Sequence, residues 1–219
     1  MMMTLIAAAL LATAPNAAQT PPAPTAPAAE TAAPAPTAQE EPVTVRLETS
    51  LGAIVIALDP VHAPVTTANF LRYVDQNRLA GTGFYRAMQV GEGYGLIQAG
   101  TRNEPKRTLP PIAHEPTSQT GLKHLDGTIS MARYAPGSAA GDFFIAVGDL
   151  PSLDANPGAE GDNLGFAAFG RVIEGMDVVK RILAAPTSPT EGEGVMRGQM
   201  IAEPVKILAA TRTKKTPER

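Results

Sequence analysis

Hydrophobic and polar positions alternate from Val43 onward. Val43, Val45 and Leu47 are separated by Thr44, Arg46 and Glu48, the period of two that marks a strand with one buried face. Ser50-Leu-Gly52 supplies a turn, and Ala53-Ile-Val-Ile-Ala-Leu58 reads as a second strand, so the pair predicts a hairpin. Pro64 suits the first turn of a helix, and Phe70, Leu71 and Val74 then share one helical face. Strand-length apolar runs recur at 83–86, 96–99, 127–132, 143–147, 169–172 and 205–209, most of them divided by Gly-, Pro- or Asn-rich loops. Residues 175–185 predict a second helix that buries Met176, Val179, Ile182 and Leu183. The expected fold is mainly β: a closed eight-stranded antiparallel β-barrel capped by two α-helices at its open ends.

The two ends of the chain follow other patterns. Within residues 1–18, Leu5 to Ala14 is an apolar run of about ten residues, half the roughly 20 a membrane-spanning helix needs. Small residues follow it, so 1–18 reads as a signal peptide with Ala18–Gln19 as the cleavage point. Residues 19–42 are almost entirely Ala, Pro, Thr, Gln and Glu, the composition of an extended tether. One folded domain is left at 43–211, with a charged tail at 212–219.

A formal net charge of −3 over 219 residues gives no reason to expect nucleic acid as a partner. Cysteine is absent, which excludes a disulfide framework and thiolate chemistry. The three histidines, His62, His114 and His124, are not at metal-ligand spacing. No Gly-x-Ser-x-Gly elbow occurs. The oxygen-rich stretch 154–162 departs from calcium-loop spacing and reads as a solvated loop.

Specific chemistry enters with a set of short motifs. They are Phe84-Tyr-Arg86, Leu96-Ile-Gln98, Pro110-Pro-Ile-Ala-His-Glu115, Gly127-Thr-Ile-Ser-Met-Ala-Arg133, Phe143-Phe-Ile145 and Phe169-Gly-Arg-Val-Ile-Glu-Gly-Met-Asp177. Together they resemble the cyclophilin-type peptidyl-prolyl cis-trans isomerases, the secreted bacterial branch above all. The resemblance implies an enzyme that accelerates rotation about Xaa-Pro bonds in exported polypeptides as they fold, with no cofactor and no metal. It further implies a periplasmic or secreted monomer with no membrane span in the mature chain. The alternative is a chaperone or scaffold that binds proline segments with weak or no isomerase activity.

Arg86 stands at the family's catalytic arginine and Gln98 at its neighbouring glutamine. Leu96, Ala132, Phe144, Leu153 and Phe166 match the substrate-binding positions. Asp142 stands where the family usually has a substrate-binding Gln, which leads to the expectation that Asp142 moderates activity by competing for the Arg86 donors. Gly95 replaces a pocket Phe at the end of a lengthened 88–94 stretch, Leu96 replaces a Met, Ser152 replaces a Trp or Phe, and the 154–164 loop is extended. The doubled Phe143-Phe144 predicts one ring inside the barrel and one outside, by strand alternation.

The reaction so implied faces an amide rotation barrier of about 18–20 kcal/mol, because twisting the bond breaks its resonance. The lone pair returns to the proline nitrogen in the twisted state. A fixed donor aimed there binds that state more tightly than either planar isomer. A guanidinium suits the task, since it stays charged and offers five N–H donors.

Overall fold

The computed structural model describes residues 43–213; the signal and tether assignments, and residues 214–219 of the tail, lie outside it. The chain opens with the expected hairpin, β1 (Val43–Thr49) and β2 (Gly52–Leu58), paired through Thr49↔Gly52. Helix α1 (Pro64–Asp75) follows with Pro in its first turn. Ala63 offers it no side-chain cap. Instead the buried carboxylate of Glu115, distant in sequence, accepts from the N–H groups of Val65 (3.1 Å) and Thr66 (2.7 Å). A negative charge there satisfies orphan donors and complements the helix dipole.

Strands β3 (Gly83–Gly91) and β4 (Tyr94–Gly100) form a long hairpin, β5 (Thr128–Met131) and β6 (Phe143–Val147) a short-stranded pair, and β7 (Ala167–Glu174) leads into α3 (Met176–Leu183). The last strand, β9 (Met200–Thr213), pairs with both β3 and β1. The order β1-β2-β7-β5-β6-β4-β3-β9, closed by β1–β9, is an eight-stranded antiparallel barrel with no free edge along that ring. Its interior is filled by side chains such as Leu47, Ile54, Ile56, Phe84, Ile97, Ile129, Phe143 and Phe169. Phe70 and Leu71 of α1 and Val179, Ile182 and Leu183 of α3 pack against that core.

Three details correct the sequence reading. There are three α-helices among the described residues, not two: α2 (Thr117–Thr120) is a single turn, too short to show periodicity. A two-residue strand, β8 (Thr187–Ser188), adds to the outer side of β9. The domain also continues past Thr211. Arg212 and Thr213, read from sequence as tail, complete β9: Thr44 pairs with Thr213, and the Arg212 Nε donates to Asp75 at 2.7 Å.

Candidate active site

The site begins with an irregularity in β3. Phe84 pairs with Ala99, yet Arg86 pairs with Gln98, so Tyr85 is an extra residue bulged out of the ladder. A bulge lets consecutive side chains leave by the same face. Phe84 and Ala87 point into the core, while Tyr85 and Arg86 both flank Gln98 outside it.

The Arg86 guanidinium is held from two sides. Its Nη1 donates to Gln98 Oε1 at 2.8 Å. Its Nε and Nη2 donate to Gln199 Oε1 at 2.9 and 2.7 Å, and Nη2 also points at Met88 Sδ at 3.5 Å. Each glutamine is anchored by its own amide nitrogen. Gln98 donates to the Tyr85 hydroxyl at 2.7 Å and Gln199 to the Val195 carbonyl at 2.8 Å. Partial burial pushes the guanidinium below its ordinary pKa, but a group that titrates so high keeps its charge. Burial also pushes the Tyr85 phenol up, with Asp142 adding to the rise, so the hydroxyl is neutral and able to accept from Gln98.

Beside the guanidinium, a second apolar cluster lies on the outer wall of the barrel. Leu96, Phe144, Ala146 and Leu150 are buried, and Met88, Tyr94, Ala132, Leu153 and Phe166 pack against them half-buried. Leu96, Ala132, Phe144, Leu153 and Phe166 therefore meet in one place. Phe144 lies flat against His124 (5.8 Å between centroids) and edge-on to Phe166 (5.4 Å). Hydrogen bonds to Asp154 Oδ1 (2.7 Å) and Ser130 Oγ (2.9 Å) lock the His124 ring, and burial pushes its pKa down, so it is neutral near pH 7. Arg133 also packs on Phe166, its guanidinium carbon 5.2 Å from the ring centroid, and is itself fixed by Asp162 and the Gly165 carbonyl.

Asp142 is not where the sequence reading put it. Its Oδ1 accepts the backbone N–H of Arg102 at 2.8 Å, and it is in no ion pair with Arg86. The expected competition for the guanidinium is thus absent. The carboxylate instead pins a turn in which Arg102 and Asn103 both adopt left-handed backbone (φ 51° and 57°), a conformation that non-glycine residues rarely take without support. Burial raises the pKa of Asp142, against the lowering effect of that N–H.

The lengthened 88–94 stretch also has a structural role. It extends the β3–β4 hairpin to Gly91↔Tyr94, and Gly95 holds a φ of 152° at which any Cβ would overlap the Met88 carbonyl oxygen. No Phe could stand there. Met88 and Tyr94 supply apolar surface to the cluster from that hairpin. Gln199, Tyr85, Met88 and His124 belong to the site and were not assigned to it from sequence. For Gln199 no local signal exists, since it meets Arg86 only through the pairing of β3 with β9.

The site is thus a fixed cation beside a partly exposed apolar cluster on the outside of a filled barrel. The chain belongs to the cyclophilin-type peptidyl-prolyl cis-trans isomerase family, whose model matches residues 44–212. It is 39% identical over 169 residues to a peptidyl-prolyl cis-trans isomerase of Acinetobacter baylyi, covering 75% of this chain and 82% of that one. It is 38% identical over 170 residues to the isomerase cyp18 of Streptomyces antibioticus, covering 75% and 98%. Among solved structures, a cyclophilin-type isomerase of Cryptosporidium parvum aligns with a TM-score of 0.64 at 20% identity, over 80% of this chain and 99% of that one, a likeness of fold.

Proposed function

We propose that this peptidyl-prolyl cis-trans isomerase works through Arg86 on proline-containing segments of exported polypeptides. The observation that carries the proposal is the guanidinium clamped between Gln98 and Gln199 beside the Phe144 cluster. The clamp uses Nε, Nη2 and one Nη1 hydrogen, which leaves a second Nη1 N–H for the proline nitrogen of a twisted amide. Because two amide oxygens already fix its direction, the donor need not reorganise as the bond twists, and preorganisation of this kind lowers the barrier. Phe144, Leu96, Leu153 and Phe166 grip the proline ring and exclude water, while Ala132 leaves room for the residue before it.

The export context rests on the apolar run and small residues of 1–18 and on the tether at 19–42. On this reading the mature domain works in the periplasm or outside the cell, as a monomer acting on chains that are still folding. A protease-coupled Xaa-Pro assay tests the mechanism. Arg86→Ala is expected to lower kcat/KM by about 10²–10³-fold, as loss of one preorganised donor does, with the thermal midpoint little changed. Unchanged turnover in that variant would refute the role of Arg86.

A further inference from the structure

Next to Tyr85, with no residue of the Phe144 cluster in its lining, the barrel surface opens into a cleft of about 400 Å³. Gly81, Gly83 and Gly100 contribute to its lining, and its charged residues are Arg102, Arg107, Lys206 and Glu104. Arg107 is already engaged, paired with Glu104 at 3.0 Å and donating to the Ala80 carbonyl at 2.7 Å. Arg102 and Lys206 are exposed, and neither has a carboxylate partner among the described residues. The cleft thus carries two cations without an ion-pair partner among the described residues; the Asp142 carboxylate acts on Arg102 from a longer distance, and Lys206 has no such neighbour.

Arg102 is placed there by construction. Asp142 accepts the N–H of its left-handed backbone, and its guanidinium lies 5.0 Å over the Tyr85 ring. Tyr85 in turn bonds Gln98, which holds Arg86. Tyr85 is therefore shared by the cleft and the clamp, and an extended polypeptide, at roughly 3.3 Å per residue, passes from one to the other within a few residues.

We propose that this cleft is a subsite for an acidic side chain of the substrate, a Glu or Asp a few residues from the isomerised proline. The proposal rests on the isomerase reading. Arg102 and Lys206 supply the attraction, and Asp142 gains a function: it builds the recognition turn and does not touch the reacting amide.

The test uses Xaa-Pro peptides in which Glu or Gln is placed at each flanking position in turn, with kcat/KM measured at low ionic strength. At one position or more, the Glu peptide is expected to exceed its Gln partner by about three- to tenfold, the range for two exposed ion pairs. That ratio should fall toward one in Arg102→Gln/Lys206→Gln and on adding salt on the order of 0.5 M. Equal rates for Glu and Gln at every position, or a preference that survives the double variant, overturns the subsite. Absence of turnover for the Gln peptides would break the isomerase reading instead. NMR shifts of the Gly81, Gly83 and Thr101 amides on adding the same peptides then decide the subsite alone: larger shifts with Glu support it, and equal or absent shifts overturn it.

Discussion

Phe143 and Phe144 are neighbours in sequence, equally buried at 0% and 3% exposure, and they serve two different interiors. Phe143 points into the barrel and meets Phe70 and Phe84 edge-on at 5.3 and 6.0 Å. Phe144 points out, between the His124 face and the Phe166 edge. The first cluster is closed by the strands of the barrel and by helices α1 and α3. The second is closed beneath by Leu96, Ala146 and Leu150, but its upper residues, Met88, Ala132, Leu153 and Phe166, remain partly exposed. Burial of a ring therefore does not separate structure from function here. What separates them is whether the shell around the ring is complete.

The comparison breaks most directly by truncating each ring in turn. Phe143→Ala should cost about 3–5 kcal/mol of stability, the usual penalty for removing a core aromatic, a large share of a domain's total. Phe144→Ala sits where the shell can relax and should cost less, about 1–3 kcal/mol. It should nonetheless lower kcat/KM by about tenfold or more, because the grip on the proline ring is lost. Urea unfolding and the isomerase assay read the two quantities separately. Equal stability losses with activity intact in Phe144→Ala would erase the distinction.

The next largest effect concerns Gln199. Gln199→Leu removes the acceptor for Nε and Nη2 and should lower kcat by about tenfold while KM holds, the signature of lost positioning in the transition state. Gln199→Glu, which keeps an acceptor oxygen, should recover most of it. A change confined to KM would place Gln199 in ground-state binding.

Asp142→Gln sharpens the contrast between the groove and the Arg102 turn. Loss of the carboxylate from that turn should cost about 1–2 kcal/mol in urea unfolding, as broken charged hydrogen bonds do. The rate on neutral peptides should not rise, because there is no Arg86 pairing to release. A rise in kcat would show that Asp142 reaches the guanidinium in solution.

The smallest effect is that of pH. Burial depresses the pKa of His124 in the folded state, while the unfolded chain takes up that proton near pH 6.5. Between those two values the unfolded state binds more protons, so stability falls as the pH drops below about 6.5 and levels off below the folded pKa. Urea midpoints at about pH 7.5 and about pH 5.5 measure it, and a flat profile would mean that the folded and unfolded chains bind this proton equally, with no burial effect at His124.

Much of this architecture was legible because strands announce themselves locally. The alternation in 43–47 and the apolar runs at 143–147 and 169–172 carry their own signal, and Arg86, Gln98 and Phe144 sit inside such runs. Helix α2 and strand β8 were not visible, because four and two residues are too few for a period to develop. Gln199 and the His124 bracket were invisible for a different reason. Their roles arise from contacts between distant segments, as between β3 and the chain entering β9, and residue type alone does not fix the partner. Asp142 was misplaced because a carboxylate beside a strand has two sinks, a cation or a backbone N–H, and only the path of the 101–103 turn decides between them.

The extra residue at Tyr85 has a consequence for how this protein can vary. Upstream of it β3 keeps one phase of in and out; downstream it keeps the opposite one. Closing the bulge at constant length would pair Tyr85 with Gln98 and Arg86 with Ile97, turning Arg86 into the barrel and Ala87 into the groove. Deleting Tyr85 instead would restore plain alternation with Arg86 still outward, and would remove only the hydroxyl that anchors Gln98. Catalytic competence in this stretch depends on register as well as on composition.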